Sequence, residues 1–487
     1  MNQINRSFTN PTPRPIKIVQ FGEGNFLRGF ADYMIDIANE KGVFHGNIAI
    51  IKPITYGNLD AFHQQECQYT VSLRGLVDGD SKIINRQITS VEEAVDCYEQ
   101  VDRFYELASL EELRFVISNT TEAGIIFDPT DSMEQTPPAT FPGKLTSFLY
   151  HRFQFFQGDS SKGLIMLPVE LIDDNGVALK KCVMQYISTW NLEEAFKLWV
   201  EQSCIFTSTL VDRIITGYPK NQEEEWAQLG YQDSLLVTGE PFALWVIESE
   251  KDISKEFPLD KAGLPVLFTS NQKPYKQRKV RILNGAHTSF VLASYLCGNN
   301  IVRESMEDKD IFTYVTETIF DEVIPTLSLP REDLEQFAKD VILRFKNPYV
   351  EHSLLSISLN SVSKWKTRCL PSLLDYWNRK KELPSHLTFS FAALAYFYRG
   401  GEFKDHTLIG HRGKETYSIL DDKQVLMFFH KHYNTAIPLL LEKLLSQVSF
   451  WGCDLNDIPG FKDTVIQYYT DIHTLGMRDA LCKLIKK

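Results

Sequence analysis

Through the first half of the chain, apolar residues come in short unbroken blocks, each stopped by polar or turn-forming residues. IKIVQF (16–21), NIAIIKP (47–53), RFVISN (114–119), GLIMLP (163–168), TLVDRII (209–215) and LLVTGEPFALWVIE (235–248) are such blocks. Runs of this length predict strands buried on both faces, as in a parallel sheet. Residues 68–75 and 82–88 alternate apolar with polar around Asp78, Gly79 and Asp80, which predicts a β-hairpin. A helical period follows the first strand in FLRGFADYMIDIANEKG, and another is read over 91–108. Strand and helix in alternation predict a Rossmann-like, doubly wound α/β domain over 1–272. Beyond it KDIFTYVTETIFDEVI, DLEQFAKDVILRF, PSHLTFSFAALAYFYRG and TAIPLLLEKLLSQV carry the period of amphipathic helices, so a mostly α-helical second domain is expected over 273–487.

Composition narrows the class. A chain of 487 residues exceeds one ordinary core, and 43% hydrophobic with 23% charged residues suits a soluble globular protein. The net charge of −12 argues against nucleic acid or an anionic membrane as the main partner, while leaving room for a small anion. Eight cysteines are scattered without a CxxC pair or a histidine spaced to complete a zinc site. Reduced thiols, no metal and a cytoplasmic protein are expected, since neither an apolar signal core nor a run approaching ~20 apolar residues is present; oligomeric state stays open, although no coiled-coil pattern speaks against a monomer.

Two stretches carry chemistry. The first strand runs into GEGNFLRGF, where Gly22 and Gly24 suit a tight turn and the approach of a pyrophosphate to a helix N-terminus. Phe21, Gly22, Glu23, Gly24, Asn25, Phe26 and Arg28 are therefore candidate cofactor residues, although Leu27 occupies the third glycine position of the usual fingerprint. Asn119, Thr120, Thr121 and Glu122 follow a buried strand and join them. Lys52 ends the second strand, where an acidic residue normally takes the adenosine ribose, so preference between NAD and NADP stays open. The turn-rich stretch 128–143 is expected to be a loop capable of moving over the site.

The second stretch is KVRILNGAH (279–287). A helix over 280–296 would put Lys279, Asn284 and His287 within an arc of about 140°, with a rise of about 7.5 Å between the first two. A secondary alcohol loses hydride only as its hydroxyl proton leaves, which requires a base and donors for the developing alkoxide. Lys279 suits the base, Asn284 a donor, and His287 a group that orients or polarises.

GEGNFLR, NTTEAG, LVDRI, GEPFALWVIE and KVRILNGAH, in that order, resemble the polyol-specific long-chain dehydrogenases, also called the mannitol dehydrogenase family. The resemblance implies a Rossmann-type domain followed by a helical one, NAD as cofactor, and metal-independent hydride transfer. It implies Lys279 as general base, Asn284 and His287 at the reacting oxygen, and Asp212 bordering the site, the alternative being an Asp212–Arg213 surface pair. The loop QFGEGNFLR is most similar to members acting on sugar acids, which implies reversible reduction of D-tagaturonate to D-altronate in galacturonate catabolism. Reduction of D-fructuronate, mannitol-type polyol oxidation and a non-catalytic NAD-binding redox sensor are the alternatives.

The chain departs from the polyol members twice. Glu170 and Leu171 stand where a second asparagine is expected, leaving Glu170 to bind a sugar hydroxyl or balance the lysine, and Ser356 replaces a substrate-binding arginine. A uronate needs a cation for its carboxylate, and His352, Lys364, Lys366 and Arg368 are the candidates, Lys364 and Arg368 sharing a helical face at i,i+4.

Overall fold

The computed structural model describes residues 1–487 other than Glu122, Asp405 and Lys487. The chain divides into two compact units, Met1–Gln272 and Lys273–Lys487.

The first unit is built on a six-stranded parallel sheet in the order β5-β2-β1-β6-β7-β8, with β1 Ile16–Phe21, β2 Asn47–Lys52, β5 Val91–Asp96, β6 Phe115–Ser118, β7 Ile165–Pro168 and β8 Ile205–Phe206. Successive side chains of a strand point to opposite faces. Ile18, Ile48, Ile50 and Ile117 accordingly lie in one core, and Val19, Ala49, Ile51 and Val116 in another. Both faces are covered, which is why these strands read as unbroken apolar runs.

Several expectations for this unit need correction. Residues 91–96 form β5 at the edge of the sheet, and the helix is confined to Val101–Ala108. Val91, Ala94 and Val95 are buried, but Glu93 and Glu92 interrupt the apolar run and imitate a helical period. The expected hairpin, β3 Tyr69–Val77 and β4 Asp80–Ile88, turns through Asp78 and Gly79 at φ 55° and 87°, the left-handed conformation of a two-residue turn. It belongs to a second sheet, β10-β11-β3-β4, with β10 Ile215–Gly217 and β11 Val237–Gly239. A third sheet joins β9 Ser208–Asp212 antiparallel to β12 Leu244–Glu248, which pairs in parallel with β13 Val266–Thr269. The blocks at 209–215 and 235–248 thus leave the main parallel sheet.

Of the stretch 128–143, residues 141–143 begin a helix, Phe141–Phe155, and the loop before it is held by internal hydrogen bonds. Buried Asp131 accepts from the backbone N–H groups of Ala139 and Thr140 and from the Thr140 hydroxyl, each at 2.8 Å, while the Trp190 indole N–H donates to its carbonyl at 2.9 Å.

The second unit is dominated by helices. Gly285–Leu296 and Ser385–Phe397 are apolar almost all round and almost wholly buried, as interior helices must be. A three-stranded antiparallel meander, β14 Glu402–Lys404, β15 Thr407–Arg412 and β16 Glu415–Ile419, departs from the helical expectation. Its strands are short, and Leu408 and Gly410 of β15 and Tyr417 and Ile419 of β16 turn inward in alternation. Among the described residues no helix is long and apolar enough to cross a membrane.

Candidate active site

In the first unit the chain leaves β1 at Gly22, whose N–H donates to Ile51 O at 2.9 Å. Gly22 has φ +119°, and a Cβ there would lie 3.1 Å from Asn119 O. Glycine is required by both conformation and space. Gly24 is extended and precedes a helical stretch over 25–40, with a π turn at Arg28–Asp32. A Cβ on Gly24 would meet no protein atom within 4 Å, so the open space beside it, not internal packing, is what its lack of a side chain serves. The turn backbone and the exposed N-terminal residue Asn25 therefore fit a pyrophosphate. Asn119 closes the same end of the sheet, its N–H donating to Phe21 O at 3.1 Å.

Other candidates in this unit face inward. The Phe21 ring packs against Phe104, Phe141 and Phe148, so only its backbone borders the turn. Phe26 stacks on Phe30 with centroids 5.0 Å apart. Arg28, 8% exposed, donates to Glu23 O, Leu235 O and Asn25 Oδ1, and therefore braces the loop from within. Burial raises the Glu23 carboxyl above its ordinary pKa. Lys52 is 1% exposed and donates to Asp96 Oδ2 at 2.6 Å and Ile54 O at 2.7 Å. It is an internal ion pair, not an exposed receptor for the cofactor.

Glu170 is also a correction. It is 2% exposed and accepts from the Ser118 hydroxyl at 3.2 Å, from Thr120 N–H at 3.1 Å and from the Thr120 hydroxyl at 3.0 Å. Burial raises its pKa, and its work is to hold the exit of β6. Next to it Thr121 sits at φ 77°, a strained conformation for a β-branched residue. Glu122 lies outside the described residues. The nearby amide of Asn175 is committed to the backbone, donating to Pro168 O, Glu170 O and Thr209 O and accepting from Thr209 N–H. Asp212 ends β9 and is buried. Buried Arg213 donates to Gly29 O, Pro241 O and Phe242 O, which overturns a surface pair with Asp212.

In the second unit helical backbone runs through 273–296, beginning six residues before Lys279. Lys279–Asn284 is a π turn, with Gly285 N–H reaching back five residues to Val280 O. The i→i+5 geometry brings residues five apart into line, so Lys279 and Asn284 align along the helix more closely than a regular α-helix allows. Gly285 lets another segment approach: a Cβ there would lie 3.1 Å from Arg368 O. Close packing against the helix Ser361–Arg368 follows.

That packing brings Arg344, His352, Lys364 and Arg368 around His287. The imidazole stacks on Phe345 with centroids 4.3 Å apart and meets the His352 ring at 5.5 Å. Its Nε2 is shielded from solvent and finds no hydrogen-bond partner among the described residues. Burial, then the fields of His352, Arg344, Arg368 and Lys364, holds His287 well below its ordinary pKa of 6.5, so the ring is neutral near pH 7. Burial also lowers His352, Lys364 and Arg368, with Lys364 adding to the effect on His352 and Arg368 to that on Lys364. Lys364 donates to Ile357 O at 2.9 Å, and the Arg368 guanidinium reaches Thr288 Oγ1 at 3.4 Å.

Lys366 points away, its side chain lying against the turn at Gly452. Ser356 is exposed and bonds locally to Ser353 O. Arg344 was not singled out by its sequence context. Its signal was position, one helical turn before the break at Asn347 and Pro348, which lets the chain fold back toward His352.

Two family models cover most of the chain: the mannitol dehydrogenase Rossmann domain matches residues 16–261, and the mannitol dehydrogenase C-terminal domain matches 271–473. The altronate oxidoreductase of Bacillus subtilis (strain 168) is 43% identical over 486 residues, covering 99% of this chain and 98% of its own length. That of Bacteroides thetaiotaomicron is 42% identical over 483 residues and 99% of each chain. Among solved structures, a D-sorbitol dehydrogenase in substrate-free form has a TM-score of 0.78 at 19% identity, over 98% of this chain and 100% of its own. The Pseudomonas fluorescens mannitol 2-dehydrogenase, solved with NAD and D-mannitol, has a TM-score of 0.66 at 20% identity over the whole of both chains. At these identities the two structures speak to the fold, while the family models and the full-length relatives speak to descent: the chain belongs to the mannitol dehydrogenase family of oxidoreductases.

Proposed function

We propose that the protein is an NAD-dependent oxidoreductase that interconverts D-tagaturonate and D-altronate, with Lys279 as its acid and base. The observation that carries the reading is the set of basic groups drawn around the neutral His287, whose Nε2 has no hydrogen-bond partner among the described residues. A neutral polyol has no use for such a set, whereas the carboxylate of a sugar acid suits it. The name shared by the full-length relatives, altronate oxidoreductase, supports the same substrate.

The turn at Gly22 and Gly24, with the Asn25 helix start and Asn119, would hold the dinucleotide. When bound, NADH supplies the hydride. In the direction of reduction the Lys279 ammonium gives its proton to the substrate oxygen as that oxygen gains charge; in oxidation the neutral amine takes the proton back. Asn284, aligned with Lys279 by the π turn, donates to the same oxygen. Neutral His287 presents one ring nitrogen as donor or acceptor, orienting a substrate hydroxyl. Arg368 and Arg344 keep their charge at all working pH values and suit the carboxylate, with Lys364 and His352 beside them.

The deciding experiment follows NADH oxidation with D-tagaturonate, D-fructuronate and D-fructose offered separately. Preference for D-tagaturonate is expected; preference for D-fructuronate would move the assignment within the sugar acids, and preference for D-fructose would remove the carboxylate argument. Lys279→Ala should lower kcat by about 10²- to 10⁴-fold with nucleotide binding retained. Near-normal turnover would take the acid–base role from this lysine.

A further inference from the structure

A lysine ending the second strand of a dinucleotide-binding sheet looks like a receptor for the 2′-phosphate of NADP, because the adenosine ribose lies at that end. The surroundings of Lys52 argue the reverse. β2 and β5 run parallel in a register that pairs Lys52 with Asp96 at their carboxyl ends. The ammonium, 1% exposed, is drawn onto Asp96 Oδ2 at 2.6 Å and Ile54 O at 2.7 Å.

Asp96 is itself fixed. Its Oδ1 accepts from Tyr98 N–H at 2.9 Å, and its own N–H donates to Gln100 Oε1 at 3.1 Å. Burial alone would raise this carboxyl, but the Lys52 ammonium and the Tyr98 and Glu99 N–H groups hold it below its ordinary value. The neighbouring cation, Arg28, is buried with its nitrogens donating to Glu23 O, Leu235 O and Asn25 Oδ1. The half-buried carboxylate of Glu23 adds negative charge that Lys52 and Asp96 both feel. A dianionic 2′-phosphate arriving here meets two committed cations and Glu23. A ribose hydroxyl requires neither cation.

We propose that Asp96 is a specificity-determining residue for the dinucleotide: by holding Lys52 inside the sheet it leaves the chain selective for NAD(H) over NADP(H). The proposal rests on the reading of the Gly22–Gly24 turn as a dinucleotide site. It differs from that reading in assigning selectivity to a residue 72 positions beyond Gly24, on the edge strand β5, which β2 separates from β1.

Titration of the full-length protein with NADH and with NADPH, followed by the fluorescence of the reduced nicotinamide, tests the proposal without turnover. Wild type should favour NADH clearly. Asp96→Asn releases the ammonium and should narrow the ratio of the two dissociation constants by about 10- to 100-fold, the value of one hydrogen bond to a charged group. Adding Lys52→Met to Asp96→Asn should restore the ratio, whereas Lys52→Met alone should leave it unchanged. Equal binding of NADH and NADPH by wild type, or selective loss of NADPH in Lys52→Met alone, overturns the proposal while the dinucleotide site stands. Failure of wild type to bind either nucleotide overturns the site itself and the proposal with it. Should Asp96→Asn fail to fold, the wild-type ratio and Lys52→Met still decide.

Discussion

The C-terminal unit holds two part-buried histidines in opposite electrostatic settings. His386 lies between carboxylates, Nδ1 at 2.8 Å from Glu322 Oε1 and Nε2 at 2.9 Å from Glu317 Oε2. Glu322 also accepts from the N–H groups of His386 and Leu387, at 2.7 and 2.8 Å, so it caps the helix Ser385–Phe397. Burial lowers the His386 pKa, but the two glutamates outweigh it and the net shift is upward. His287, by contrast, has basic neighbours and a shielded Nε2 with no hydrogen-bond partner among the described residues. One site satisfies every group it buries. The other keeps one buried ring nitrogen without a hydrogen-bond partner among the described residues, with basic side chains beside it, and on the proposed function that contrast distinguishes a structural histidine from one at a substrate site.

The largest effect is expected at the satisfied site. Glu322→Ala leaves His386 and two backbone N–H groups without their acceptor and should lower unfolding free energy by about 3–5 kcal/mol in urea denaturation. The KM of the surviving folded enzyme should hardly change. A large KM change with little loss of stability would reverse the contrast.

The matching change at the other site is Arg368→Met. It should raise KM for D-tagaturonate by about 10- to 100-fold, as expected for one charge-assisted hydrogen bond, while KM for an uncharged ketose stays within a few-fold. Stability should be kept or improved, because one of several like charges is removed. Equal effects on both substrates would take Arg368 out of the carboxylate site.

Acid titration separates the pair by sign. His287 and His352 have depressed pKa values, so between these and their ordinary value of 6.5 the unfolded chain binds more protons. Their contribution is present above about pH 6.5 and is lost as pH falls. His386 has a raised pKa, so its contribution is full below 6.5 and is lost as pH rises through the folded value. Urea midpoints from about pH 5 to 8 should lose part of their acid-side fall in His352→Asn and part of their alkaline-side fall in His386→Asn. Parallel profiles in the two variants would contradict the assignment. A smaller effect is expected from Gly285→Ala, whose Cβ meets Arg368 O at 3.1 Å. Moving that carbonyl aside should cost about 1–3 kcal/mol of stability and weaken sugar-acid binding.

The apolar blocks and helical periods of this chain were enough to read a Rossmann-like sheet and a helical second half, because burial on both sheet faces or on one helix face dictates periodicity directly. The lysine, amide and histidine of 279–287 stand out as a group because they are close in sequence. Periodicity was misled at 91–96, where glutamates interrupt an edge strand. It also carried no sign of the π turn that aligns Lys279 with Asn284. Which charged side chains face inward was decided by tertiary structure. Lys52, Arg28 and Glu170 have the chemistry of ligand-binding groups, but each meets an internal partner supplied by another strand or loop. Conversely, Arg344 joins His352, Lys364 and Arg368 around His287 only because the chain folds back on the 273–296 helix. Residue type and local spacing follow from sequence, whereas the pairing or exposure of a charge depends on neighbours tens of residues away.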